Sequence, residues 1–288
     1  MVSRETASPQ PHRHNDADKK TTPDKRSIFQ PILKDAMRPQ AQASLPTPES
    51  LPMRIALPLS ALCIAMTFAA AHAGDGKIDY DHQDKWQAAH ETQQSPIDIV
   101  THDAIDAKAD EPQALVFTHT HAPMEAIDNG HAVEVETHAT EATIRGRHFA
   151  LAQFHFHAAS EHTIDGKHYP LEGHYVFKAQ DGRLAVVGVM YAVGKPNAQA
   201  QAVLDSLDHK RNAPHDIDVD ALMPARHDYY HYLGSLTTPP LTENVEWYVM
   251  PTPVTMSQKQ IDAFLAHYRH NNRNVQPLNG RPLVHSAG

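Results

Sequence analysis

From Gly74 to the C-terminus, apolar residues recur at alternate positions in short runs broken by turn residues. That pattern predicts a mainly antiparallel β protein. Val133 and Val135 flank Glu134. Phe149 and Leu151 lead into Gln153-Phe154-His155-Phe156-His157, and Val245, Trp247 and Val249 alternate with polar or edge residues. Residues 184–193 are nearly all apolar, which predicts a central strand buried on both faces. Helical spacing is rarer. Ser257 with Gln260 three residues on forms a capping box, followed by Ile261, Phe264, Leu265 and Tyr268 on one helix face. A shorter helix is predicted to start at Asn197 and bury Val203, Leu204 and Leu207.

In an extended strand alternate side chains share a face, so Gln153, His155 and His157 point one way while Phe154 and Phe156 point the other. Asp165-Gly166 is a strong two-residue hairpin signal. Folding the chain about it sets His157 opposite His174 and brings Glu172 and His174 onto the polar face. Tyr175 and Phe177 then pack behind that face with Phe154 and Phe156. Opposed residues have Cβ atoms about 5 Å apart, so three imidazoles from two strands can converge on one ion. Three neutral nitrogens suit zinc, and a fourth position left to water marks a catalytic rather than a structural site. Gln153 and Glu172 share faces with His155 and His174, and either can receive an imidazole N–H.

The chain has 288 residues, 20% of them charged, and a formal charge of −9. That charge argues against nucleic-acid or anionic-membrane partners. Residues 1–52 are rich in Pro, Gln, Asp and Lys with almost no aromatics, a composition that predicts disorder or an upstream mis-start preceding Met53. Residues 53–73 read as a signal peptide: Met53-Arg54, an apolar run broken by Pro58, and an Ala71-His72-Ala73 cleavage site. The run is short for a span, so no stable membrane segment is expected after cleavage, and the product is exported, periplasmic or secreted. Residues 74–288 then form one domain. The single cysteine, Cys63, lies in the apolar run, so that domain has no disulfide.

The 23 histidines weaken any argument from spacing alone, and His-x-His also occurs at His119-Thr120-His121. His155-x-His157 with Glu161 resembles the first cupin motif, but cupins place their last histidine on a distant strand. A second block, Ser235-Leu236-Thr237-Thr238-Pro239-Pro240, narrows the choice. Together with Gln94-Ser95-Pro96-Ile97-Asp98-Ile99, Asn129-Gly130-His131, the histidine strands and Gln276-Pro277-Leu278-Asn279-Gly280-Arg281, it resembles the α-class carbonic anhydrases in motif and in order, from Gln94 to Arg281.

That resemblance implies a mainly β, α+β domain: a twisted, mostly antiparallel sheet of about ten strands with short peripheral helices. It implies Zn2+ on His155, His157 and His174, with Gln153, Glu172 and a backbone carbonyl near Asn271 holding the imidazoles. It implies reversible hydration of carbon dioxide to bicarbonate, with Glu161 and Thr237 orienting zinc-bound hydroxide and His131 exporting the proton. Val176, Val186, Leu236 and Trp247 would line the carbon dioxide pocket, and Thr238 would sit beside the bicarbonate anion. The same chemistry allows a weak esterase side activity. Oligomeric state is not indicated. The sequence departs from the family pattern at Gln87 for glycine, Asn274 for proline, and Ala158-Ala159 and Gly173 for bulkier residues, and Tyr80 is a loose match for the cavity tyrosine.

Overall fold

A fourteen-residue strand near the C-terminus, pairing on both sides, is the spine on which the sheet is assembled. The computed structural model describes residues 77–109, 112, 114–118, 123–137, 140–208 and 215–288. The sequence readings for residues 1–52 and 53–73 lie outside these.

The first strands are β1 (Asp98–Ile99), β2 (Ile105–Asp106), β3 (Leu115–Thr118), β4 (Pro123–Asp128), β5 (Val133–Glu136) and β6 (Glu141–Ile144). There follow β7 (Arg147–His157), β8 (Thr163–Ile164), β9 (Leu171–Lys178) and β10 (Leu184–Val193). After helix α1 (Ala198–Asp208) come β11 (His215–Asp216), β12 (Tyr229–Ser235) and the spine β13 (Glu243–Met256). Helix α2 (Gln258–His267) and β14 (Val284–Ser286) complete the chain.

Ten of these strands run in the order β11-β4-β5-β7-β9-β10-β13-β12-β14-β2, and β6 with β3 branches from β7 to make a 12-stranded sheet. The sheet is mixed. Most pairs are antiparallel, but β10 runs parallel to β13 and β14 parallel to β2. β1 and β8 form a separate two-stranded parallel pair.

Both faces are covered. One core joins Phe154, Phe156, Tyr175 and Phe177 to Tyr248, Met250 and the helix residues Val203, Leu204, Ile261 and Phe264. Phe154 stacks on Tyr175 at 5.1 Å between centroids, as expected, whereas Phe177 packs against Phe117. A smaller core on the other face holds Val186, Val245, Trp247 and Val249 with Ile97 and Ile99. β10 feeds both, Val187 and Val189 to one and Val186 and Met190 to the other, so its continuous apolar run is a central strand. β13 does the same. The positions that alternate with Val245, Trp247 and Val249 are Glu246, Tyr248 and Met250. Tyr248 and Met250 are fully buried, and Glu246 is tied to Arg147 and the Tyr248 hydroxyl.

The helices form where capping and apolar spacing agree. Ser257 and Gln260 exchange the two hydrogen bonds of a capping box, which stabilises α2 by about 1 kcal/mol. Asn197 Oδ1 caps α1 by accepting from the N–H groups of Gln199 and Ala200. α1 is the longer of the two, by one residue.

Two features of β7 position the site. A one-residue bulge at Ala152 separates the Leu151–Phe177 and Gln153–Val176 pairs. It switches side-chain parity, so Phe149 and Leu151 enter the same core as Phe154 and Phe156 although their numbers share the parity of the histidines. The second feature is a register correction. Asp165 and Gly166 both have positive φ and close a tight turn, but that turn pairs only Ile164 with Lys167. Beyond it the ladder is offset by two residues, and His157 stands opposite Glu172, while His155 stands opposite His174. An offset of two preserves which face each side chain occupies, so the three histidines still converge.

Candidate metal centre

His155, His157 and His174 come from adjacent strands and present one nitrogen each within 4.8 Å of one another. Their ring centroids are 4.9, 5.3 and 4.5 Å apart. Each ring has its other nitrogen engaged. His155 Nδ1 lies 2.8 Å from Gln153 Oε1, His157 Nδ1 2.5 Å from the backbone oxygen of Asn271, and His174 Nε2 3.0 Å from Glu172 Oε1. With these oxygens accepting, the tautomers are assigned and the opposite nitrogens, His155 Nε2, His157 Nε2 and His174 Nδ1, are left as acceptors. His157 Nε2 is buried without a hydrogen-bond partner. A buried polar atom without a partner is costly, and a cation shared by three neutral imidazoles removes the cost. The residues present therefore fit a metal ion.

Burial holds all three imidazoles below the usual histidine range, His157 at about 4. They are neutral at pH 7, the state a metal requires. Glu172 is the opposite case. Burial alone would raise its pKa, but His162 and His174 hold it well below the usual carboxylate value. Its Oε2 accepts from the N–H groups of Glu161 and His162, and its Oε1 from His162 and His174. His162 in turn reaches Tyr232, whose hydroxyl donates to Ser95. A second cluster of His162, Glu172 and His174 is this same network. It needs Gly188, where a Cβ would come within 2.9 Å of Glu172 Oε1.

Asn271 does more than receive His157. Its side chain accepts from Ala158 N–H and donates to the carbonyls of His131 and Phe156, which ties the end of β7 and the turn before β5 to one residue. Glu161 is fully buried, and burial pushes it up to about 7 against the pull of His174, Thr237 and the Arg273 backbone. Its Oε1 accepts from Arg273 N–H at 2.6 Å, and its Oε2 has no hydrogen bond. The Thr237 side chain, hydrogen-bonding toward this carboxylate, favours its ionised form.

A cavity of about 150 Å³ is lined by His131, Glu134, Gln153, His155 and His174 on one side and by Val176, Val186, Leu236, Thr237, Thr238 and Trp247 on the other. Ten of the fourteen residues singled out from the sequence for site or pocket line it. The other four, His157, Glu161, Glu172 and Asn271, are buried and do not line it. Tyr80 sits nearby with a buried, unpartnered hydroxyl raised by burial and by the charge of Glu161.

A family model described as eukaryotic-type carbonic anhydrase matches residues 80–287. The chain belongs to that family. As a carbonic anhydrase it is an enzyme of carbon dioxide hydration. It is 40% identical over 243 residues to the carbonic anhydrase of Pectobacterium atrosepticum, covering 80% of this chain and 98% of that one. It is 38% identical over 198 residues to the carbonic anhydrase of Nostoc, covering 66% of this chain and 75% of that one. Among solved structures, the α-carbonic anhydrase of Thermovibrio ammonificans with the inhibitor sulfanilamide superposes with a TM-score of 0.62 at 40% identity, over 67% of this chain and 87% of that one.

Two departures from the carbonic anhydrase pattern now have physical reasons. At Gly173 a Cβ would lie 3.0 Å from the Tyr191 ring and 3.3 Å from the Tyr175 ring, so the bulk is supplied by tyrosines. At Asn274 the backbone N–H donates to Gln83 Oε1, a bond a proline could not make, and Gln83 also donates to Asn272. No helix among the described residues is long and apolar enough to cross a membrane.

Proposed function

We propose that His155, His157 and His174 hold zinc through Nε2, Nε2 and Nδ1, and that the enzyme hydrates carbon dioxide reversibly to bicarbonate and a proton. The observation that carries this reading is that each imidazole has one nitrogen committed to an oxygen partner and one left for a metal. A bound zinc supplies a Lewis acid that brings the pKa of water to about 7, a value that belongs to carbonic anhydrases generally and is not obtained from this structure.

The remaining work falls to the chain. Thr237 Oγ1 orients the attacking oxygen by accepting a hydrogen bond from it, while its own hydroxyl donates a hydrogen bond to Glu161, which must be ionised to accept it. Arg273 N–H fixes the other carboxylate oxygen of Glu161. Val176, Val186, Leu236 and Trp247 offer carbon dioxide an apolar wall, suited to a substrate with little to hydrogen-bond, and Thr238 lies beside the bicarbonate product. His131 is half-buried at the cavity rim, lining both the 150 Å³ cavity and a neighbouring rim depression. From there it relays the proton outward. Burial lowers its pKa from the usual histidine value, which favours rapid release of the proton to buffer.

Stopped-flow hydration of carbon dioxide tests the reading. Activity should vanish with a chelator and return with zinc; activity that survives complete metal removal would overturn it. The reading of residues 53–73 as a signal peptide, and so of an exported domain at 74–288, is part of the same proposal. N-terminal sequencing of the exported protein should find Gly74.

A further inference from the structure

Arg273 carries a buried guanidinium that no carboxylate touches directly. The residue is 7% exposed. Its Nη1 donates to Gln94 Oε1 at 2.8 Å and to the Ser95 carbonyl at 2.7 Å, both neutral acceptors. Among the described residues no carboxylate forms an ion pair with its guanidinium, and none accepts a hydrogen bond from Nε or Nη2. Those N–H groups are not sealed inside the protein either, because they are absent from the buried atoms without partners. Arg273 lines a cavity of about 490 Å³ with Gln94, Trp86, Gln276, Asp84 and Glu91. This cavity shares no residue with the one at the metal centre.

A guanidinium has five N–H donors in a rigid fork, and a buried one is stable when a matching anion takes the unused pair. Burial draws the pKa of Arg273 down from its usual value against the opposing pull of Glu161 and Tyr232. The indole of Trp86 stands 6.0 Å from the guanidinium carbon and is itself held by a hydrogen bond from Nε1 to the Asp79 carbonyl. It forms a flat wall beside the fork. Asp84 and Glu91 are exposed at the mouth and repel a second negative charge.

We propose that this cavity is a second anion site, separate from the metal centre, which takes a small planar monoanion with two parallel oxygens: a carboxylate or bicarbonate. Two oxygens accept from Nε and Nη2 in the bidentate arrangement that guanidinium groups favour. Tetrahedral dianions such as sulfate are disfavoured by the acidic mouth. The site lies directly behind the catalytic carboxylate, since the backbone N–H of Arg273 donates to Glu161.

The chain has two tryptophans, and each indole is in a different cavity, Trp86 in this one and Trp247 in the metal cavity. In the full-length, zinc-loaded enzyme with 15N-labelled tryptophan, sodium acetate is exchanged for chloride at constant ionic strength. The Trp86 indole resonance should move saturably in the millimolar range. Arg273→Gln should abolish that movement, and Glu91→Gln, an exposed change that leaves the fold alone, should tighten binding several-fold. The Glu91→Gln result decides the matter if Arg273→Gln does not fold. Running bicarbonate in parallel separates the sources: tighter binding of bicarbonate identifies the enzyme's product, tighter binding of acetate an unrelated carboxylate. The proposal is overturned if Trp86 does not respond saturably, if only Trp247 responds, if Arg273→Gln responds like the parent, or if sulfate binds as tightly as acetate.

Discussion

His155 and His174 face each other directly across β7 and β9, and Glu134 on β5 faces His155 from the other side. The metal centre is thus read across three neighbouring strands, with a carboxylate on the far one. Glu134 is half-buried, lines the 150 Å³ cavity and accepts from Asn129 Nδ2 at 3.0 Å. Burial raises its pKa, yet the Asn129 bond favours the ionised form. A carboxylate here favours the more positive, protonated state of the metal centre, by at most about one pKa unit. Glu134→Gln should move the midpoint of the hydration pH-rate profile to lower pH and tighten inhibition by azide. Profiles and inhibition constants for both forms at low salt check this, and unchanged values would remove Glu134 from the electrostatics.

Gly188 is the cross-strand partner of His174 and lies against the carboxylate that holds it. Gly188→Ala should displace Glu172 and loosen the orientation of His174. Groups that hold metal-binding imidazoles are worth about 10- to 100-fold in metal affinity. A zinc competition titration should show a loss of that order, and parental affinity would mean that the Cβ is absorbed elsewhere.

Acid should weaken the metal-free protein earlier than carboxylates alone would dictate. The three imidazoles have folded pKa values below 6.5, so the unfolded chain takes up protons first as the pH falls. Their contribution is complete above about pH 6.5 and is lost on acidification, for His157 down to its folded value of about 4. Glu161, held at about 7, takes up a proton in the folded state over much of the same window and offsets His157, so the net decline is that of His155 and His174. Glu172, with its depressed pKa, adds a loss in the same direction at lower pH. Urea unfolding of chelator-treated protein from pH 7.5 to 4.5 should show the decline beginning near 6.5; a flat profile until carboxylates titrate would contradict it.

His131→Ala should keep zinc and slow turnover, because the cavity loses its rim imidazole and not its metal-binding groups. Added imidazole should restore the rate if His131 carries protons. No rescue would assign it a structural part.

Much of this site could be read from residues before any coordinates. The Phe–His alternation places Phe154 and Phe156 behind the histidines, and the capping boundaries of α2 and the two-sided burial of β10 follow from spacing. The register that the turn implies is off by two because a turn motif reports only its own closure. Asp165-Gly166 pairs Ile164 with Lys167, and the segment from Ala158 to Ile164 leaves the ladder before β9 begins. The bulge at Ala152 has no local signature, since alanine neither demands nor forbids one. The Asn271 carbonyl that receives His157 is a backbone group 114 residues away, which no side-chain pattern marks, and only the family resemblance pointed to it. Arg273 looks in sequence like a surface cation. Its burial depends on Trp86, Gln94 and Ser95, which lie far from it along the chain.

The claim that three imidazoles hold a catalytic zinc is tested most directly by measuring bound zinc and carbon dioxide hydration together in the parent and in His155→Ala. The parent should hold one zinc per chain and be active. His155→Ala leaves two imidazoles and should lose both stoichiometric zinc and hydration. One zinc per chain with hydration intact in His155→Ala would contradict the account.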